Sequence, residues 1–173
     1  MSPTPQSQHI SIADLGSKLE GEVIGPDDAA YDEARQVFFK GVDRRPAAVV
    51  RVAGSDDVAR VVTFARENGL ELAVRSGGHH RAGYGTSEGG IVIDLSGMRA
   101  LDIDADAKAA WVQTGVTAGE YTSAVGERGR ATGLGNTGSV GIGGITLGGG
   151  IGGGYRRGRR SRVVRSARNC GRR

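Results

Sequence analysis

A chain of 173 residues, 38% hydrophobic and 24% charged, has a globular composition and the length of one ordinary domain or a fragment of something larger. No apolar run approaches the roughly 20 residues of a membrane-spanning helix. The opening MSPTPQSQHISIADL has neither the basic start nor the apolar core of an export signal, so a cytoplasmic location is expected. The single cysteine, Cys170, excludes an internal disulfide and supplies no metal pattern. From Tyr155 to Arg173 there are 9 arginines and no acidic residue, while the preceding residues hold 14 basic and 19 acidic side chains. An acidic body thus carries a basic tail, and the overall charge of +4 is poor evidence that the folded part binds nucleic acid.

Residues 1–45 read as an N-terminal helical segment, frayed over the first ten, with short helices around Ile12–Leu19 and Asp28–Phe39. A clear pattern begins at Pro46. The β-branched run Ala48–Val52 predicts a strand. Ser55 is a candidate cap for a helix whose first turn carries Asp56 and Asp57, favourable at the positive end of the helix dipole. Val58, Val61, Val62 and Ala65 fall on one helical face, and Asn68-Gly69 is a stop signal. Leu70–Val74 then predicts a second strand, completing a βαβ unit whose strands are expected to run parallel. Ile91–Leu95 reads as another strand. Leu101–Ile103 and Ala109–Thr114 read as an antiparallel hairpin. Thr117 and Glu120 form a capping box that opens a helix to about Gly129, with Tyr121, Ala124 and Val125 inward. The whole predicts an α+β architecture, with a βαβ start and later antiparallel strands.

Glycine is concentrated in two windows. Six of the 31 lie between Arg75 and Gly90, and 12 between Gly133 and Gly154. The first window, Arg75-Ser-Gly-Gly-His-His-Arg-Ala-Gly83, leaves the carboxyl end of a strand, where open α/β sheets bind ligands. Gly77 and Gly78 expose backbone N–H groups suited to a pyrophosphate, Arg75 and Ser76 add charge and a hydroxyl, and His79 follows the cradle. On these residues alone, a glycine-rich surface turn with two solvated histidines is the simpler reading.

The motifs VRSGGHHRAGYGTSEGGIVIDLSGM (74–98) and TGSVGIGGITLGGG (137–150) change that balance. In this order and at this separation, the stretch from Pro46 to Ile151 resembles the FAD-binding domain of the vanillyl-alcohol oxidase and p-cresol methylhydroxylase superfamily. The berberine-bridge-enzyme-like branch is the nearest. The resemblance implies an FAD-binding PCMH-type domain over 46–152, incomplete at its C-terminus, with Arg75, Ser76, Gly77, Gly78, His79, His80 and Gly83 on one side of the cofactor. Ser139, Val140, Gly141, Gly143 and Gly144 would line the other side, with Val140 and Ile142 as anchors in the core. It further implies a covalent bond from His79 to the 8α-methyl carbon of the flavin, chemistry that a neutral, nucleophilic imidazole suits. His80 is expected either to contact the cofactor or to stand as a surface histidine. Thr137 occupies the position where some plant-type relatives place a second, cysteinyl link, so single attachment is expected. Gly133, Gly135 and Gly138 also match G-x-G-x-x-G, but no apolar strand precedes them and no acid follows about 20 positions on, which disfavours a nicotinamide site.

After Gly152 the resemblance stops. The residues 153–173 read as an arginine-rich tail outside the fold, open to three explanations: a phosphate-binding arm, a solvated extension, or an out-of-frame translation product, the one preferred. The expected function is the FAD-binding portion of an oxidoreductase that removes hydride from an alcohol, sugar or amine-like small molecule. A non-catalytic cofactor- or nucleic-acid-binding module with a functional basic tail is the alternative. No catalytic acid or base is assigned, no metal and no membrane partner are expected, and oligomeric state is not read from the sequence.

Overall fold

The computed structural model describes residues 12–149. Its centre is a mixed sheet of β1 (Glu22–Ile24), β2 (Ala48–Arg51), β3 (Leu72–Arg75) and β4 (Ile91–Asp94), in the order β1-β2-β4-β3. β2, β4 and β3 run parallel, and β1 pairs antiparallel with β2. The expected βαβ crossover is present as β2, α3 (Ser55–Glu67) and β3, but its strands are not neighbours, because β4 lies between them. Composition explains the placement. Ile91, Val92 and Ile93 are apolar at successive positions, and β4 is buried on both faces along its length, as a central parallel strand requires. β3, at the edge, leaves Val74 57% exposed.

The strand alternation divides the core in two. Val50, Ile91 and Ile93 point to one face, where Val61 and Ala65 of α3 and Leu15 of α1 (Ile12–Gly16) cover them. Val49, Val92 and Ala73 point to the other, against Ile24 and against Tyr31 and Ala34 of α2 (Tyr31–Ala34). Each fully buried Val or Ile contributes about 1.5–3 kcal/mol by leaving water. The segment before Pro46 is therefore more than helical. Its helices are short, and its strand β1 forms because β2 offers a free edge.

The start of α3 differs from expectation. Gly54 is the N-cap and Ser55 provides no cap bond. Asp57 instead ties the first turn to the chain around it. Its carboxylate, buried inside the first turn, accepts from the N–H groups of Ala53 at 3.0 Å, Glu20 at 3.0 Å and Gly21 at 2.9 Å, and Arg60 lies 3.3 Å away. Burial pushes its pKa up, but these three N–H groups and Arg60 outweigh burial and hold it below the ordinary carboxylate value. One side chain thus ties the entry to β1 to the crossover helix. The buried stripe of α3 runs through Asp57, Val61 and Ala65, with Phe64 packed beside it, so Val62 turns outward at 43% exposure. The helix ends at Asn68-Gly69 as expected, with Leu70 N donating to Ala65 O at 2.9 Å.

β5 (Leu101–Asp104) and β6 (Ala109–Val112) form the expected hairpin. α4 (Ala118–Gly126) opens on the Thr117–Glu120 capping box and buries Ala118 and Val125, with Tyr121 and Ala124 half-buried. The second glycine-rich stretch forms a short helix, α5 (Ile142–Gly148). Ile142 and Ile145, three apart, are both half-buried on it, whereas Leu147 is 87% exposed. Val140 and Ile142 are only half-buried, so they are not the core anchors expected. Residues 153–173, and with them Cys170 and every arginine of the tail, lie outside the described residues.

Candidate functional site

β2, β4 and β3 end in register at Arg51, Asp94 and Arg75. Beyond these carboxyl ends lies a cavity of about 510 Å³, bounded by Phe38, Arg75, the 76–79 turn and Ser139. Parallel strands leave such a crevice where their connections part.

Arg75 is not a free cation at this site. Its guanidinium, 6% exposed, donates to Asp94 Oδ2 at 2.9 Å, Ala34 O at 2.6 Å and Gln36 O at 3.1 Å. It fastens the 34–36 segment to the sheet and forms one wall of the cavity. An isolated buried charge is costly, and the Asp94 partner offsets that cost. Its position opposite Asp94 follows from strand register, which becomes visible once β3 and β4 are paired.

The two glycine-bearing segments meet. Ser76 Oγ donates to Thr114 O. A Cβ built on Gly77 would lie 2.3 Å from Gly141 N and 2.8 Å from Ser139 O. A Cβ on Gly141 would lie 2.4 Å from Gly77 N. The missing side chains at 77 and 141 therefore let the segments approach each other, a reason distinct from approach to a ligand. The second segment is held by bonds from Ala118 N to Val140 O (2.8 Å), Gly119 N to Gly138 O (2.8 Å) and Ile142 N to Val116 O (2.9 Å). Gly143 packs on Thr114, and Gly144 faces open space.

Gly78 adopts φ +69, which turns the chain so that its carbonyl accepts from Phe38 N at 3.2 Å. Gly83 is buried against Val42, its carbonyl accepting from Arg44 Nη1 at 3.1 Å. His79 is half-buried at the cavity. Its ring stacks on Phe38 with centroids 4.0 Å apart, and Nε2 lies 2.9 Å from Ser139 Oγ. His80 turns away. It is exposed, stacks on Tyr84 at 4.4 Å, and its Nδ1 accepts from Ala82 N at 3.2 Å, a local turn contact. Thr137 is exposed; its hydroxyl lies against Asn136 Oδ1 at 3.4 Å, and its carbonyl accepts from Val140 N at 3.4 Å. Phe38, Asp94 and Thr114 are residues that motif reading missed. Phe38 stands in a stretch without periodicity, so no local signal marked it.

Among the described residues, no atom accepts a hydrogen bond from the N–H groups of Gly77, Gly78 or His79. Three adjacent free backbone donors beside an imidazole suit a phosphate-bearing nucleotide, so the chemistry of the donor set fits such a cofactor. No cluster of His, Cys, Asp or Glu able to hold a metal occurs among the described residues. Nor is any described helix long and apolar enough to cross a membrane.

An α+β sheet with free backbone donors beyond its parallel strands defines a nucleotide-cofactor-binding domain. The chain belongs to the family described as FAD binding domain, which matches residues 46–169, and so to the vanillyl-alcohol oxidase and p-cresol methylhydroxylase group of FAD-linked oxidoreductases that includes the berberine-bridge-enzyme-like proteins. It is 39% identical over 134 residues to (R)-6-hydroxynicotine oxidase of Paenarthrobacter nicotinovorans, covering 78% of this chain and 29% of that protein. The wild-type BBE-like 1 structure of Physcomitrella patens superposes with TM-score 0.79 at 28% identity, covering 85% of this chain and 32% of that one. Glucooligosaccharide oxidase of Acremonium strictum, which carries a 6-S-cysteinyl, 8α-N1-histidyl FAD, superposes with TM-score 0.77 at 28% identity, covering 83% and 31%. The chain thus spans about 30% of the length of these relatives.

Proposed function

We propose that residues 75–79 and 139–144 form the FAD site of an oxidoreductase, and that His79 is its covalent attachment point. The observation that carries this reading is the position of His79. It stands where two glycine-bearing segments meet, beside three free backbone donors and at the wall of the cavity. The N–H groups of Gly77, Gly78 and His79 would hold the pyrophosphate, and Ser139 with Gly141 would close the other side. Arg75 acts indirectly, holding the wall in place through Asp94. Bound here, FAD would supply a hydride acceptor. The named relatives oxidise a nicotine derivative and an oligosaccharide, which supports a small alcohol, sugar or amine-like substrate for the whole protein. Thr137 offers no thiol for a second link, which supports single attachment. The catalytic base and substrate pocket are assigned to no residue of this chain.

The test is flavin fluorescence on the denatured polypeptide after incubation with FAD. The wild-type chain should give a fluorescent band, and His79→Ala should give none while still folding. An equally fluorescent His79→Ala band would move the attachment elsewhere.

A further inference from the structure

His79 is gripped from the opposite segment. Ser139 Oγ lies 2.9 Å from Nε2, Phe38 covers a ring face, and Nδ1 makes no hydrogen bond among the described residues. A neutral imidazole has one N–H and one lone pair, and the partner of one nitrogen decides which is which. Ser139 itself cannot drift, because its segment is sewn to residues 116–119 by three backbone bonds and its carbonyl abuts Gly77.

We propose that Ser139 is a positioning residue that fixes the tautomer of His79: its Oγ accepts from Nε2–H, leaving the lone pair on Nδ1. The inference rests on the attachment reading above. Nδ1 then forms the bond to the 8α-carbon. One C–H bond breaks there, and the Nε2 proton, already directed at Ser139, leaves with the C–H proton. Two electrons are released with these two protons, and dioxygen takes them up as hydrogen peroxide. Ser139 therefore contributes to the rate of attachment in addition to lining the cofactor's far side.

The full chain is incubated with FAD, and flavin on the denatured polypeptide is followed in time. Ser139→Ala should attach flavin roughly tenfold more slowly, the factor governed by one hydrogen bond of ordinary strength. Ser139→Thr, which keeps a hydroxyl, should restore most of the rate. Attachment by Ser139→Ala at the wild-type rate, with none in His79→Ala, overturns the role of Ser139 alone. Covalent flavin in His79→Ala overturns the attachment reading beneath it. A readout independent of cofactor is the imidazole ¹⁵N spectrum of His79 without FAD. The Nε2–H form should predominate in the wild type and become mixed in Ser139→Ala, whereas an Nδ1–H form in the wild type overturns the proposal.

Discussion

Replacing Gly77 by alanine probes the contact on which the site depends. The added Cβ would stand 2.3 Å from Gly141 N, where ordinary contact begins at 3.4 Å, so the segments must separate by about 1.1 Å. Gly141 cannot retreat cheaply, since Ile142 N and Val140 O on either side are bonded to Val116 and Ala118. Overpacking of this kind costs about 1–3 kcal/mol. Urea denaturation followed by circular dichroism should then show a midpoint lower by about 1 M, for a slope of about 1–3 kcal/mol/M. The same separation lengthens the 2.9 Å contact between His79 and Ser139, so FAD binding and attachment should both weaken. Gly144→Ala is the control. Its Cβ meets nothing within 4 Å, and alanine favours a helix by about 0.8–1 kcal/mol, so this variant should be neutral or more stable. A Gly77→Ala chain with the wild-type midpoint and the wild-type FAD titration would refute the apposition.

Asp57→Ala removes the acceptor of three backbone N–H groups and should cost at least about 1–3 kcal/mol in the same denaturation assay. Because the folded pKa of Asp57 is depressed, its contribution is present above the unfolded value of about 3.9 and is lost as pH falls through the folded one. Wild-type stability should therefore drop on acidification below about pH 4, and more steeply than that of Asp57→Ala. Arg75→Ala strands the buried Asp94 and releases the carbonyls of Ala34 and Gln36. It should cost about 3–5 kcal/mol in thermal melts, with little restored by lysine, which lacks the branched donor set.

The parts of this fold legible in the sequence are those where local chemistry and tertiary packing agree. α3 with its Asn68-Gly69 stop, the 101–112 hairpin and the Thr117–Glu120 box are set by contacts within a few residues. The exceptions are non-local. β1 is three residues long and exists because β2 has an unpaired edge; nothing in Glu22-Val23-Ile24 announces it. The insertion of β4 between β2 and β3 depends on which apolar run is buried on both faces, which spacing does not encode. Ser55 makes no cap bond at the start of α3, and Asp57 there reaches outside the helix, to Ala53 and to Glu20 and Gly21, 37 and 36 residues away in sequence. Residues 142–148 are helical despite three glycines, since the half-buried Ile142 and Ile145 recur with helical spacing. At the candidate site, the motifs marked both segments and His79. The motif places Arg75 beside the cradle, but its charge is engaged by an aspartate 19 positions away. Phe38 came from a stretch that no motif covers.

The most direct measurement is a titration of the purified full chain with FAD, with folding verified by circular dichroism on the same sample. Saturable binding of one flavin per chain, part of it retained after denaturation, is the predicted result. A folded chain that leaves the flavin wholly free in solution would contradict the assignment of the two glycine-bearing segments and His79 as its site.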